Sequence, residues 1–522
     1  MNLRRTLVII LTFSLGLLSL GGSVAAQVTP GSASRPIEDH LFEVSSVVPE
    51  AWTDFGGGVY TRGTPPEDLA LLAVQAAAAT PEQIWPSLLP QLALSEVPEP
   101  TGEFDSDILD WTLYQVDVAL PGNEIAVELG MAELDGTTYI LMLQSAPDEF
   151  AVLREQVLLP ALEATAPLAP EPTPHPSTFD YAIEEVTFPG GAEGVELAGT
   201  LTLPDAPGPH PVVVTMSGSG ASDRDEALKP INALKPFAVL ADALTSEGVG
   251  VLRFDDRGVG ESTGQFDGAT VEDFASDAGA AVDYLLSRDD VDPERIGLFG
   301  HSEGGLYAAM LGATHPGVAY IGMMAPGVVD GVSLIVAQNE ALQQAEGESE
   351  EVVEAVVAYT EEVMPVARDG DVDAVEAIAT DFYRELYDSL DEAEQAVLGE
   401  RETFAANTGA RDTELYTSDW FRSFLAYDPT VDWRQVVVPV LAVFAGKDVQ
   451  VLAEQNAPAL AQALAEAGNE DVEIVTLEDA NHLFQAAETG AFSEYTRLEP
   501  EFIDGFVETI VDWMVVRAGV AE

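Results

Sequence analysis

From about residue 179 onward, short runs of apolar residues alternate with stretches long enough to be helices, and this rhythm leaves few ways to fold. The runs fall at 212–216, 249–254, 296–299, 320–324, 440–444 and 472–477, with helical patterns such as 236–247, closed by Gly248, and 271–288 between them. A strand that is apolar on both faces needs cover on both. Separation by helices therefore points to a mostly parallel sheet with helices on its two sides. The interval from Met324 to Val438 is too long for one crossover and reads as several acidic amphipathic helices, for example 350–363 and 372–388. We expect an inserted helical cap there, at about 325–437.

Ahead of this region, residues 166–178 carry proline at nearly every second position, which forbids helix and central strand and predicts a stiff extended spacer. Residues 37–165 show strand-like alternation at 111–118, 125–134 and 137–143, a hairpin signal at Asp135-Gly136, and helical stretches near 81–94 and 147–164. They predict a small α+β domain, an antiparallel sheet covered by two helices. Its role is not legible, and a binding or positioning module is the default. At the start, Arg4 and Arg5 precede an apolar run at 7–20 and then Val24-Ala25-Ala26, the layout of a secretory signal. About 14 apolar residues fall short of the roughly 20 that span a bilayer. Residues 1–26 are therefore expected to be cleaved, giving an exported protein, periplasmic or extracellular, with no stable membrane insertion.

Charge narrows the partners. With 21 Lys+Arg against 90 Asp+Glu the formal net charge is −69, which disfavours nucleic acid and anionic membrane surfaces. Such a surface, with only Lys229, Lys235 and Lys447 as lysines, suits salt adaptation, although genomic bias produces the same pattern. There is no cysteine, so disulfides, thiolate nucleophiles and Cys-bound zinc are out. A nucleophile must be of another type.

Two segments fit Gly-x-Ser-x-Gly, and with 44 glycines a chance match is unsurprising. Gly260-Glu261-Ser262-Thr263-Gly264 follows a polar loop. Gly300-His301-Ser302-Glu303-Gly304 runs straight out of an apolar strand and into a helix-compatible segment. Only the second has the strand, sharp turn and helix that expose a serine Oγ, so Ser302 is the expected nucleophile and Ser262 a turn-stabilising hydroxyl. Of six histidines, His40 and His175 lie at the edge of the first domain and in the spacer. His210 and His315 stand next to proline, and His301 adjoins the serine and points away from its Oγ. His482, five residues past the last apolar run, is left as the base. Asp448 follows the preceding run in a tight turn and is the expected carboxylate that orients the imidazole.

Taken together, Ser217-Gly218-Ser219-Gly220-Ala221-Ser222-Asp223-Arg224-Asp225, Phe254-Asp255-Asp256-Arg257-Gly258-Val259-Gly260-Glu261-Ser262, the Ser302 motif continued by Gly305, Gly446-Lys447-Asp448 and Asn481-His482-Leu483-Phe484 resemble the α/β-hydrolase superfamily, in its bacterial carboxylesterase, lysophospholipase-like and serine aminopeptidase-like branch. The resemblance covers roughly residues 180–520. It implies the α/β-hydrolase fold and an oxyanion hole made by the backbone N–H of Ser219 and of Glu303. Many relatives begin the first motif with His-Gly where Ser217-Gly218 stands here. The competing view of that loop as a phosphate site lacks a following Gly-Lys-Ser/Thr.

The expected activity is hydrolysis of carboxylic esters, with neutral small-molecule substrates favoured by the acidic exterior and no metal or organic cofactor required. Trp420, Phe421 and Phe424 either line the acyl pocket or pack the core. Asp223, Arg224 and Asp225 are expected to support their loop, and Arg257 to form a buried ion-pair turn with its neighbours Asp255 and Asp256. An aminopeptidase or amidase on the same fold, and a binding protein whose hydrolase domain is inert, are the competing readings.

Overall fold

The computed structural model describes residues 34–520 apart from 40–41, 43, 57, 64–67, 69, 78, 92–93, 95–96, 121–122, 135, 169–180, 228–233, 391–394, 396–397, 399 and 496. The export segment, His40, His175 and Lys229 thus lie outside the described residues, as does most of the proline-rich spacer. Its first two residues, Ala166–Pro167, add an edge to the strand Val44–Pro49, an edge being the place in a sheet where proline is tolerated.

The first domain is built on a seven-stranded antiparallel sheet dominated by the long strands Asp110–Leu120, Asn123–Leu134 and Thr137–Ser145. Alternation sends Trp111, Leu113 and Leu141 to one face and Leu129, Met131 and Met142 to the other. Ile84, Trp85 and Leu88 of the helix Pro81–Gln91 pack on the second face. Phe150, Leu153 and Leu162, from the helical stretch 147–164, pack on the first. The expected sheet between two helical covers is what forms.

The second sheet has eight strands: β1 (Tyr181–Pro189), β2 (Glu196–Pro204), β3 (His210–Met216), β4 (Gly250–Phe254), β5 (Val291–His301), β6 (Tyr320–Met324), β7 (Val440–Ala445) and β8 (Val472–Leu477). Their spatial order is β1-β2-β4-β3-β5-β6-β7-β8. From β4 to β8 all pairings are parallel, while β2 is antiparallel to both β1 and β4. Six of these strands match the apolar runs. The other two lack that signal: β1 is an edge strand exposing Glu184 and Glu185, and β2 is buried but carries Gly199, Thr200 and Thr202 among its apolar residues. The helices Val271–Leu286, Gly304–Thr314 and Ala453–Glu466 cover one face; Pro236–Ser246 and Phe506–Arg517 cover the other. This is the α/β-hydrolase fold.

Between β6 and β7 the chain forms the expected helical cap, including Gly331–Ala345, Glu350–Asp369, Val372–Ser389, Arg401–Tyr416 and Asp419–Ala426. The last of these helices docks on the body, where Ser423 Oγ accepts the Val271 N–H at 3.0 Å.

Candidate active site

Strand β5 ends at His301, and the chain reverses into the helix Gly304–Thr314 through Ser302 and Glu303. Ser302 takes φ 52°, a left-handed conformation that costs a non-glycine residue about 1–3 kcal/mol and persists only where the surroundings dictate it. Glycine makes the turn possible. A Cβ at Gly300 would stand 2.5 Å from the Gly304 carbonyl oxygen, and one at Gly304 would stand 2.3 Å from that of Met216. The Ser302 N–H is held by the Met324 carbonyl at 3.0 Å, which ties the elbow to β6.

His482 and Asp448 arrive from the loops after β8 and β7. His482 Nδ1 donates to Asp448 Oδ2 at 2.8 Å, and both residues are buried. The other oxygen, Oδ1, accepts the N–H groups of Gln450 and Val451 at 2.7 and 2.9 Å. One carboxylate thus shapes its own turn and fixes the imidazole. The His482 loop is set by Asn481, which is fully buried and whose Oδ1 accepts the amides of Leu483 and Gln485. The His482 ring lies against that of His301, centroids 4.9 Å apart, so the pair sits beside the residue that precedes the elbow serine. Ser302 Oγ and His482 are not hydrogen-bonded in this arrangement.

The loop after β3 runs along the elbow, and a Cβ at Gly218 would lie 3.2 Å from Ser302 Cβ. Asp256 clamps this loop on both sides, its Oδ1 accepting from Ser217 Oγ at 3.1 Å and its Oδ2 from the Ser222 N–H at 3.0 Å. Burial, opposed by these bonds and aided by the charges of Glu226 and Glu303, pushes the Asp256 carboxyl up to about 7. Asp256 and Ser217 also border a small cavity of about 10 Å³ with Asp277 and Tyr307, room for roughly one water.

Three side chains near the elbow carry contacts that the motifs did not reveal. Glu303 is buried, and its carboxylate accepts from Tyr307 Oη at 2.8 Å and from Trp420 Nε1 at 3.0 Å, which fastens the cap to the residue after Ser302. Burial pushes its carboxyl above the usual range, against hydrogen bonds from Ser219, Trp420 and Tyr307. Glu226 accepts from His301 Nδ1 and from the Gly218 N–H. Burial opposes a charge on His301, but Glu226 outweighs it and holds the imidazole above its ordinary value. Among 90 acidic residues nothing singled out Glu226.

The remaining sequence candidates separate cleanly. Ser262 is buried in its turn, accepting the Ala198 N–H at 2.9 Å and donating to the Asp255 carbonyl at 2.8 Å. Phe421 and Phe424 belong to the core, whereas Trp420 is only partly buried. Arg224 supports its loop through Asp255, at 2.7 Å. Arg257 is buried but pairs with Asp277 and Asp273 on the following helix instead of with its chain neighbours. The neighbours are occupied, Asp255 by Arg224 and Asp256 by the Ser217 loop. His210 opens strand β3, and His315 ends a helix.

Residues 193–483 match the family described as X-Pro dipeptidyl-peptidase (S15 family). The chain is 27% identical to the esterase EstD of Thermotoga maritima over 320 residues, 61% of this chain and 65% of EstD. It is 34% identical to an uncharacterized protein of Mycobacterium tuberculosis over 129 residues, 25% of this chain and 41% of that protein. The chain therefore spans less than two thirds of the length of these relatives. Among solved structures, an esterase of Pyrococcus furiosus aligns at 15% identity over 66% of this chain and 95% of its own, with a TM-score of 0.38. Est1E of Butyrivibrio proteoclasticus with ferulic acid bound aligns at 15% identity, over 63% and 96%, with a TM-score of 0.35.

Proposed function

The chain belongs to the X-Pro dipeptidyl-peptidase (S15) family, and on that premise we propose that it is a serine hydrolase cleaving carboxylic esters through an acyl-enzyme. The observation that carries the reading is the Asp448–His482 pair, bonded at 2.8 Å, with its imidazole packed against His301 beside the strained Ser302 elbow. His482, oriented by Asp448, takes the Ser302 proton as Oγ bonds to the ester carbonyl carbon. The link from Oγ to the imidazole closes in the substrate complex, as is common where a free site is loosely set. The carbonyl oxygen becomes an oxyanion held by the N–H groups of Ser219 and Glu303, neither of which donates to a protein acceptor among the described residues. The carbon–oxygen ester bond breaks, and the alcohol leaves with the proton from His482. Water then adds to the acyl-enzyme by the same route, releasing the acid and restoring Ser302.

Neutral esters are the favoured substrates, with Trp420 as a wall of the acyl pocket. The family description supports a second reading, release of dipeptides from peptide N-termini. A substrate ammonium needs an open carboxylate, and the acids that frame the elbow, Glu226, Asp256 and Glu303, are 4%, 8% and 2% exposed. That favours esters. The same proposal includes export, with the mature chain starting at Gln27, which N-terminal sequencing of secreted protein tests. Ser302→Ala should abolish hydrolysis of p-nitrophenyl butyrate and labelling by a fluorophosphonate while circular dichroism stays native. Retained turnover refutes the assignment. Wild-type turnover of Xaa-Pro p-nitroanilides above that of the ester would transfer the enzyme to the peptidase reading.

A further inference from the structure

Behind the elbow lies a second carboxylate–imidazole pair that the hydrolytic scheme leaves unused. Glu226 and His301 are 4% and 3% exposed, and Glu226 Oε1 accepts at once from His301 Nδ1 at 2.8 Å and from the Gly218 N–H at 2.6 Å. Gly218 immediately precedes Ser219. A methyl group at Gly218 would stand 3.2 Å from Ser302 Cβ and 3.4 Å from both Glu226 Oε1 and His301 Nδ1, so loop, nucleophile and pair form one tight contact. Glu226 itself takes φ 52°, and its Oε2 is buried with no hydrogen-bond partner. Taking a carboxylate out of water is costly unless it is well paired, and a backbone carbonyl would satisfy a glycine amide more cheaply. The rest of the His301 ring packs on His482. The pair thus spans the two halves of the catalytic apparatus, touching the oxyanion loop on one side and the base on the other.

We propose that Glu226, aimed by His301, is a positioning residue for the oxyanion loop, holding the Gly218 peptide so that the next amide, Ser219 N–H, faces the oxygen that becomes negative in the transition state. The inference rests on the serine-esterase reading. A loop held in this way acts on the transition state more than on the bound substrate, so its loss is borne by kcat.

The test is steady-state hydrolysis of p-nitrophenyl butyrate by the full chain carrying Glu226→Ala, Glu226→Gln or Ser302→Ala. Glu226→Ala should lose on the order of 100-fold in kcat with KM changed less than about 3-fold, comparable to removal of one oxyanion donor. Glu226→Gln, whose amide oxygen can accept the same two N–H groups, should stay within about 10-fold of wild type. If Glu226→Ala loses native circular dichroism, His301→Ala takes its place and should show the same kcat-borne loss. Wild-type kcat in the alanine variant, a loss carried by KM, or equal damage in the alanine and glutamine variants overturns the proposal. Turnover by Ser302→Ala would sink the esterase reading itself, whereas a dead Ser302→Ala beside an unaffected Glu226→Ala sinks only this inference.

Discussion

Replacing Asp256 with asparagine should flatten the pH dependence of stability between about pH 4 and 7. The carboxyl is 8% exposed, and its pKa is pushed up from 3.8 to about 7, first by burial and then by Glu226 and Glu303. The folded protein therefore binds a proton at Asp256 that the unfolded chain has released, over a window from about pH 4 to 7. Stability contributed by this group is present at the acid end of that window, falls as pH rises through it and is flat above it. A raised carboxyl of this size corresponds to roughly 4 kcal/mol, of which the larger part, about 3 kcal/mol, is lost between pH 5 and pH 8. In Asp256→Asn the amide can donate to Ser217 Oγ and its oxygen accept the Ser222 N–H, reproducing the protonated acid. Urea unfolding of both proteins at pH 5 and pH 8, compared as a double difference, cancels the contribution of titrating groups that do not interact with Asp256. The wild type should lose about 2–3 kcal/mol more than the variant. A double difference below about 0.5 kcal/mol would mean that Asp256 ionises as an ordinary carboxylate, and would refute the buried, acid-crowded clamp drawn for the Ser217–Ser222 loop.

Gly218→Ala places a methyl 3.2 Å from Ser302 Cβ and forces a shift of a few tenths of an ångström at the elbow; kcat on p-nitrophenyl butyrate should fall about 10-fold or more with KM nearly unchanged. Trp420→Phe removes a donor from buried Glu303 and should cost about 1–3 kcal/mol in urea unfolding, while altering the preference between short and long acyl esters in a chain-length series. Ser262→Ala leaves the Ala198 N–H without its acceptor and should cost about 1–3 kcal/mol in stability, yet kcat/KM should stay within a few-fold of wild type, which distinguishes the two Gly-x-Ser-x-Gly segments.

Features that rest on local signals were readable from the residues. Six strands announce themselves as apolar runs, and the elbow at Ser302 does because strand, paired glycines and helix are contiguous. That Asp448 and His482 meet was readable because each follows its strand within a few residues, so chain position predicts an edge of the sheet. The edge strand β1 escaped because most of it is solvated, and β2, although buried, interrupts its apolar residues with Gly199, Thr200 and Thr202. The partners of Arg257 were misassigned because adjacency was taken for contact, whereas the helix beginning at Val271 brings Asp273 and Asp277 to the guanidinium.

Sequence alone placed Ser302, Asp448 and His482 just past the ends of their strands, in that chain order, and marked the strand–turn–helix elbow, since each is written in residues close along the chain. Tertiary structure alone decided what stands behind them: Glu226 meets His301 across 75 residues, and Trp420 reaches Glu303 across 117. In a chain with 90 acidic residues, composition cannot tell a solvated carboxylate from a buried one. Only packing decides which few lose their water, and it is those that grip the loop, the elbow and the cap.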